Sequence, residues 1–124
     1  MLLKILKGKI HRATVTASDL NYSGSLGIDE ALMEAAGIIN NEHIEVYNIT
    51  NGERFTTYAI PSPRGSGRIF VYGAAAHLAK KGDLLIICAF GLCEEKEAKK
   101  YHPKVVIVDS ENKVVIKKDH DSDE

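Results

Sequence analysis

Hydrophobic positions in this chain fall in short β-branched runs broken by glycine, asparagine and proline, which predicts strands rather than long helices. Residues 10–16 and 44–49 alternate in part and read as strands. Asn51-Gly52 follows the second run at once. It is a preferred pair for a type I′ hairpin, with residues 54–60 as the returning strand. The run Pro-Ser-Pro-Arg-Gly-Ser-Gly at 61–67 predicts a loop, since proline donates no ladder bond. Strands at 68–72, 84–90, 104–108 and 114–117 complete the set, with a turn at 109–112 between the last two.

Two short helices interrupt this pattern. Asp29 is placed to cap a helix running through Ala36, with Gly37 at its C′ position. A second is expected over 74–81, with Gly73 before it, Gly82 after it, and Lys80 and Lys81 in its last turn. The acidic tail 119–124 reads as solvated and disordered. Many short strands with two small helices predict a mainly β fold, one compact β-barrel domain over residues 1–118.

At 124 residues the chain holds one core, and its 44% hydrophobic and 27% charged content is that of an ordinary globular protein. A net charge of -1 gives no electrostatic footprint for nucleic acid. No stretch is long and apolar enough for a membrane span, and the N-terminus lacks a signal-peptide pattern, so a cytoplasmic protein is expected. Cys88 and Cys93 read as reduced core or loop thiols. The histidines at 11, 43, 77, 102 and 120 lack metal-ligand spacing, so no metal is expected.

Candidate chemistry centres on Gly24-Ser25, within Tyr22-Ser23-Gly24-Ser25. A serine hydroxyl can attack the preceding carbonyl and shift the acyl group from nitrogen to oxygen. β-Elimination and hydrolysis, with loss of ammonia, then leave a pyruvoyl group. Glycine before the serine suits a strained turn, although Gly-Ser alone usually marks a plain turn. Arg54 and Tyr58 share a strand face, a carboxylate binder beside a proton donor, while Thr57 points the other way. The alternative is a solvated strand with an amphipathic tyrosine. Lys9 and His11 share a face, with Arg12 opposite; Lys9 offers positive potential to an acidic ligand, or Lys4, Lys7 and Lys9 protect an edge strand. Gly73-Ala74-Ala75-Ala76 offers backbone amides at a helix start, or merely close packing. Ser25 lacks the Gly-x-Ser-x-Gly elbow of a serine hydrolase.

These residues closely resemble the pyruvoyl-dependent aspartate decarboxylases of bacterial pantothenate synthesis. The likeness runs from about Lys7 to Pro103. It rests on Lys9-Ile-His11-Arg12, Tyr22-Ser-Gly24-Ser25, Asp29, Ala36-Gly37-Ile38, Asn51-Gly-Glu-Arg54-Phe-Thr-Thr57-Tyr58, Arg64-Gly-Ser66 and Gly73-Ala-Ala-Ala76, in order. The resemblance implies a small double-psi β-barrel, a homotetramer with active sites between subunits, and cleavage after Gly24 into residues 1–24 and 25–124. It implies a carboxy-lyase that turns L-aspartate into β-alanine and carbon dioxide in the cytoplasm, for pantothenate and coenzyme A synthesis. The cofactor implied is a pyruvoyl group made from Ser25, which forms a Schiff base with the substrate amine; no metal and no pyridoxal phosphate are implied.

By the same resemblance, Tyr58 is the proton donor and Arg54 with Lys9 holds substrate carboxylate. Thr57 bonds substrate or the Gly24 carbonyl during processing, and the amides of Gly73, Ala74 and Ala75 complete the pocket. A maturation helper protein, needed by some relatives, is a candidate partner; nucleic acid and membrane are not. Two positions depart from the family pattern. Tyr72 stands where many members have asparagine, and Tyr47 where tryptophan can occur. Tyr72 favours a second reading: an unprocessed barrel in which Arg54, Lys9 and the Gly73 region bind a small dicarboxylate without catalysis.

Overall fold

The computed structural model describes residues 1–118, so the expected disorder of 119–124 falls outside the described residues. The fold is mainly β, as expected. Strands β1 (Leu2–Thr14), β2 (Ala17–Asp19), β3 (Ser25–Asp29), β4 (His43–Asn48), β5 (Arg54–Ser62), β6 (Ile69–Tyr72), β7 (Leu84–Glu94), β8 (Lys104–Val108) and β9 (Val114–Lys118) form one sheet. Its order is β2-β6-β3-β5-β4-β7-β1-β8-β9. Three parallel ladders, β2–β6, β3–β5 and β1–β8, are set among antiparallel ones. Each parallel pair requires the chain to cross over the barrel, and those crossings bring β3, β5 and β6 side by side. Ile10, Leu26, Ile28, Ile44, Ile69 and Ile87 fill the interior.

Local capping chemistry places the helix α1 (Glu30–Ala36) as expected. The Asp29 carboxylate accepts from Ala31 N at 2.9 Å, and Gly37 closes the other end at φ 73°. Asp29 also accepts from Gly65 N and Gly67 N, which ties the 63–67 loop to the end of β3. Burial alone would raise its pKa. The backbone donors Gly67, Gly65 and Ala31, aided by Lys113, outweigh burial and hold it below the ordinary aspartate value.

Several expectations are corrected. The first strand begins at Leu2, not residue 10, and ends at Thr14 after a bulge at Arg12, whose φ is 70°. It lies between β7 and β8, so Lys9 does not guard an edge. The 49–53 connection is not a two-residue type I′ turn. Gly52 has φ 81° but Asn51 lies outside the left-handed region, and Asn48 organises the loop by accepting from Gly52 N at its carbonyl and from Thr50 N at its side chain. The β5 ladder continues through Pro61 to Ser62, because β3 pairs with it there. The 74–81 helix is replaced by a 3-10 helix over Gly73–His77. Asn48 Nδ2 donates to Leu78 O and Asp83 Oδ2 accepts from Lys80 N, diverting backbone groups that a longer helix would use. Strands β2 and β3 and the one-turn helix α2 (Glu95–Ala98) carry no sequence signal described above. In β3 all five residues are buried, so no alternation announces it.

Candidate active site

Ser25 opens β3 and pairs directly with Tyr72 of β6. On the other side, Leu26 pairs with Ala59 of β5, which sets Ser25 beside Tyr58. One strand end is thus flanked by two tyrosines. Ser25, Tyr58 and Tyr72 line a cleft of about 450 Å³ together with Tyr22, Ser23, Ile60 and Phe70. Its walls carry phenols and hydroxyls but no charged side chain.

Gly24 lines a different cleft, of about 270 Å³, with Thr57, Ala74 and Ala75 among its walls. The Gly24–Ser25 peptide therefore passes from one cleft to the other. Adjacent residues on a strand face opposite ways, and β5 uses this: Thr57 reaches the Gly24 side and Tyr58 the Ser25 side. The Ser25 residue is only 4% exposed, and its hydroxyl makes no hydrogen bond to the described residues.

Gly73 allows the close approach that holds this peptide. Its φ is 73°, and a Cβ there would lie 2.6 Å from Gly24 Cα, 2.7 Å from Gly24 N and 2.9 Å from Tyr22 O. Gly24 itself differs from expectation. It is not left-handed, and an added Cβ would meet only Tyr72 O, at 3.8 Å. Room and backbone strain do not require glycine at 24; they require it at 73. With cleavage after Gly24 as the resemblance implies, Gly73→Ala is expected to slow that cleavage by at least about tenfold, because a shift of ~1 Å at a reacting group is that costly. Intact mass against time checks this; a wild-type rate would show that the close approach is dispensable.

Arg54 and Lys9 are not brought into either cleft. Arg54 shares a face with Tyr58 but lies four residues away, about 13 Å along the strand. Its guanidinium sits over the Tyr47 ring, 4.4 Å from the centroid. Burial is the main cause that raises the pKa of that phenol, with Cys88 and Glu45 adding to it and Arg54 opposing. Lys9 stands three strands from Thr56, through Cys88 and Glu45, about 14 Å across the sheet. Beside it, burial and then the charges of Lys9 and Arg12 lower the His11 pKa, and His11 Nδ1 is buried without a partner. Within one chain, neither Lys9 nor Arg54 lines the clefts that flank the Gly24–Ser25 peptide.

The profile of the family described as aspartate decarboxylase matches residues 1–115. This chain belongs to the aspartate decarboxylase family. It is 59% identical over 115 residues to the aspartate 1-decarboxylase of Carboxydothermus hydrogenoformans, covering 93% of this chain and 91% of that protein. The enzyme of the same name from Caldicellulosiruptor saccharolyticus is 57% identical, covering 93% and 90%. That from Thioalkalivibrio sulfidiphilus is 55% identical, covering 93% and 91%. Among the described residues of this family member, no helix is long and apolar enough to cross a membrane.

The cleft also contains residues that the sequence reading left out as a group. Phe70 and Ile60 form its apolar walls, and Tyr22 covers part of it. Tyr72 was visible as a departure from the family pattern, but only the β3–β6 pairing places it against Ser25.

Proposed function

We propose that the chain cuts itself between Gly24 and Ser25 and then removes the α-carboxyl group of L-aspartate, releasing β-alanine and carbon dioxide. The observation that carries this is the passage of one peptide bond between two clefts, with Thr57 on one side and Tyr58 on the other. Ser25 Oγ attacks the Gly24 carbonyl carbon, and the acyl group moves from nitrogen to oxygen. Thr57 holds the Gly24 carbonyl by its hydroxyl during this step. Elimination takes the Ser25 Cα proton and breaks its Cβ–O bond, leaving dehydroalanine at 25 and a carboxylate on Gly24. Water then replaces the Ser25 nitrogen, which departs as ammonia, and residue 25 becomes the pyruvoyl group.

The residues present fit such a group: an unbonded hydroxyl at a strand end, facing a cleft with phenols and no competing charge. The pyruvoyl ketone supplies an electron sink, work otherwise done by a pyridoxal cofactor. Tyr58 then delivers a proton to the carbon that has lost its carboxyl group. The amides of Gly73, Ala74 and Ala75 complete the pocket. Arg54 and Lys9 hold substrate carboxylate, and arginine's fork suits that contact. Since one chain keeps them apart from the Ser25 cleft, a neighbouring subunit supplies them. This supports sites between subunits, and the family resemblance implies that those subunits form a homotetramer. A helper protein remains a candidate partner for maturation. Among the described residues Cys88 and Cys93 form no disulfide, which supports a cytoplasmic setting.

Intact mass under denaturing conditions tests the reading. Two fragments divided after Gly24 are expected, the larger lighter by one ammonia than simple hydrolysis gives. A single full-length species from active protein would overturn it.

A further inference from the structure

Tyr72 occupies a seat built for a ring. Its ring meets Phe70 edge-on, with centroids 4.8 Å apart, and stands perpendicular to Tyr22 at 5.7 Å. Below it lies Gly27 of β3, where an added Cβ would come within 3.2 Å of Tyr72 Cε2. The same Cβ would come within 2.8 Å of Ser62 Oγ, so the absent side chain at 27 leaves room for both the ring and Ser62. Its hydroxyl makes no hydrogen bond to the described residues. The seat therefore works through the ring alone.

The partner ring belongs to a short connecting segment whose backbone at Tyr22 and Gly24 also packs on Gly73. Residues 20–24 join β2 to β3, and Asn21 N donates to Asp19 Oδ1 at 2.8 Å. Tyr22 is 61% exposed, yet it lines the Ser25 cleft together with Ser23. While the chain is intact, this segment is tethered at both ends. Cleavage after Gly24, on which this inference rests, removes the β3 tether and leaves Tyr22 two residues from a new chain end.

We propose that Tyr72 is a positioning residue that latches this new end, holding Tyr22 and Ser23 as a wall of the cleft through ring-to-ring contact. The latch needs an aromatic ring and no hydroxyl, so Tyr72→Phe keeps it and Tyr72→Ala abolishes it. An edge-to-face pair of this kind shifts a local opening equilibrium by roughly three- to tenfold.

Self-cleaved enzyme is incubated with a broad-specificity carboxypeptidase, and the fragment 1–24 is followed by intact mass. Wild type and Tyr72→Phe are expected to lose Gly24 and Ser23 slowly and alike. Tyr72→Ala is expected to lose them roughly three- to tenfold faster. Equal trimming in all three overturns the latch. If Tyr72→Ala does not cleave itself, Tyr22→Ala removes the other ring: faster loss of Gly24 and Ser23 supports the contact, and a wild-type rate overturns it. An uncut wild-type chain before carboxypeptidase is added would overturn self-cleavage instead, so the two failures are distinct.

Discussion

Ser25→Ala is expected to yield a single uncut chain of 13.6 kDa, with no measurable release of carbon dioxide from aspartate. The side chain is almost fully buried, yet its hydroxyl makes no hydrogen bond to the described residues. Its removal therefore leaves no orphaned partner, and the cost to stability is expected to stay within about 1 kcal/mol. Thermal denaturation should show a midpoint near that of the uncut wild-type precursor. The chemistry, by contrast, loses the nucleophile proposed for the Gly24 carbonyl. Neighbouring hydroxyls do not replace it, because the nitrogen-to-oxygen shift needs the hydroxyl of the residue that follows the bond, and that residue is 25. Fragments divided after Gly24 in this variant would overturn the assignment of Ser25 as the attacking group. An uncut chain that still decarboxylated aspartate would separate cleavage from catalysis and require a different electron sink.

How much of this was legible beforehand depends on how local the determining physics is. The α1 helix could be bounded from Asp29 and Gly37 because caps are settled within a few residues of chain. The β8 strand matched residue for residue, since a short apolar run between turn signals leaves little choice. The beginning of β1 was hidden by Lys4, Lys7 and Lys9, which read as an edge or a solvated start. Strand β3 was hidden for the opposite reason: buried on both faces, it shows no period of two. The 3-10 helix was misread because Asn48, 30 residues from Leu78, takes the Leu78 carbonyl, while Asp83 locally takes the Lys80 amide.

The site divides along the same line. Gly24, Ser25, Thr57 and Tyr58 could be singled out as residue types, and β5 parity already set Thr57 and Tyr58 on opposite faces. The steric demand for glycine at 73 rather than 24 is a property of two segments meeting, and no local pattern contains it. The seat that Gly27 makes for Tyr72 is likewise a tertiary fact. The separation of Arg54 and Lys9 from the Ser25 cleft follows from sheet order, which the sequence reading did not have.

Tyr58→Phe is expected to cleave itself like wild type and then turn over aspartate about 10²- to 10⁴-fold more slowly, the usual worth of a positioned general acid. Parity on β5 separates the two steps. Tyr58 lines the Ser25 cleft, whereas Thr57 lines the Gly24 cleft, so on the proposed reading losing the phenol oxygen leaves the cleavage step in place. Tyr58 is 39% exposed and its ring is kept by the variant, so the fold and the shape of the cleft are preserved. The loss should appear in kcat, with KM little changed, because the proton is transferred after the substrate is held. Intact mass gives the extent of cleavage, and β-alanine formed per cleaved chain gives the rate. The cleft lining offers only phenols as titratable donors: Tyr22, Tyr58 and Tyr72. A Tyr58→Phe enzyme with undiminished kcat would therefore move the donor role to another phenol or to water. A deficit confined to cleavage would mean that Tyr58 acts on the Gly24 side, against the parity of its strand.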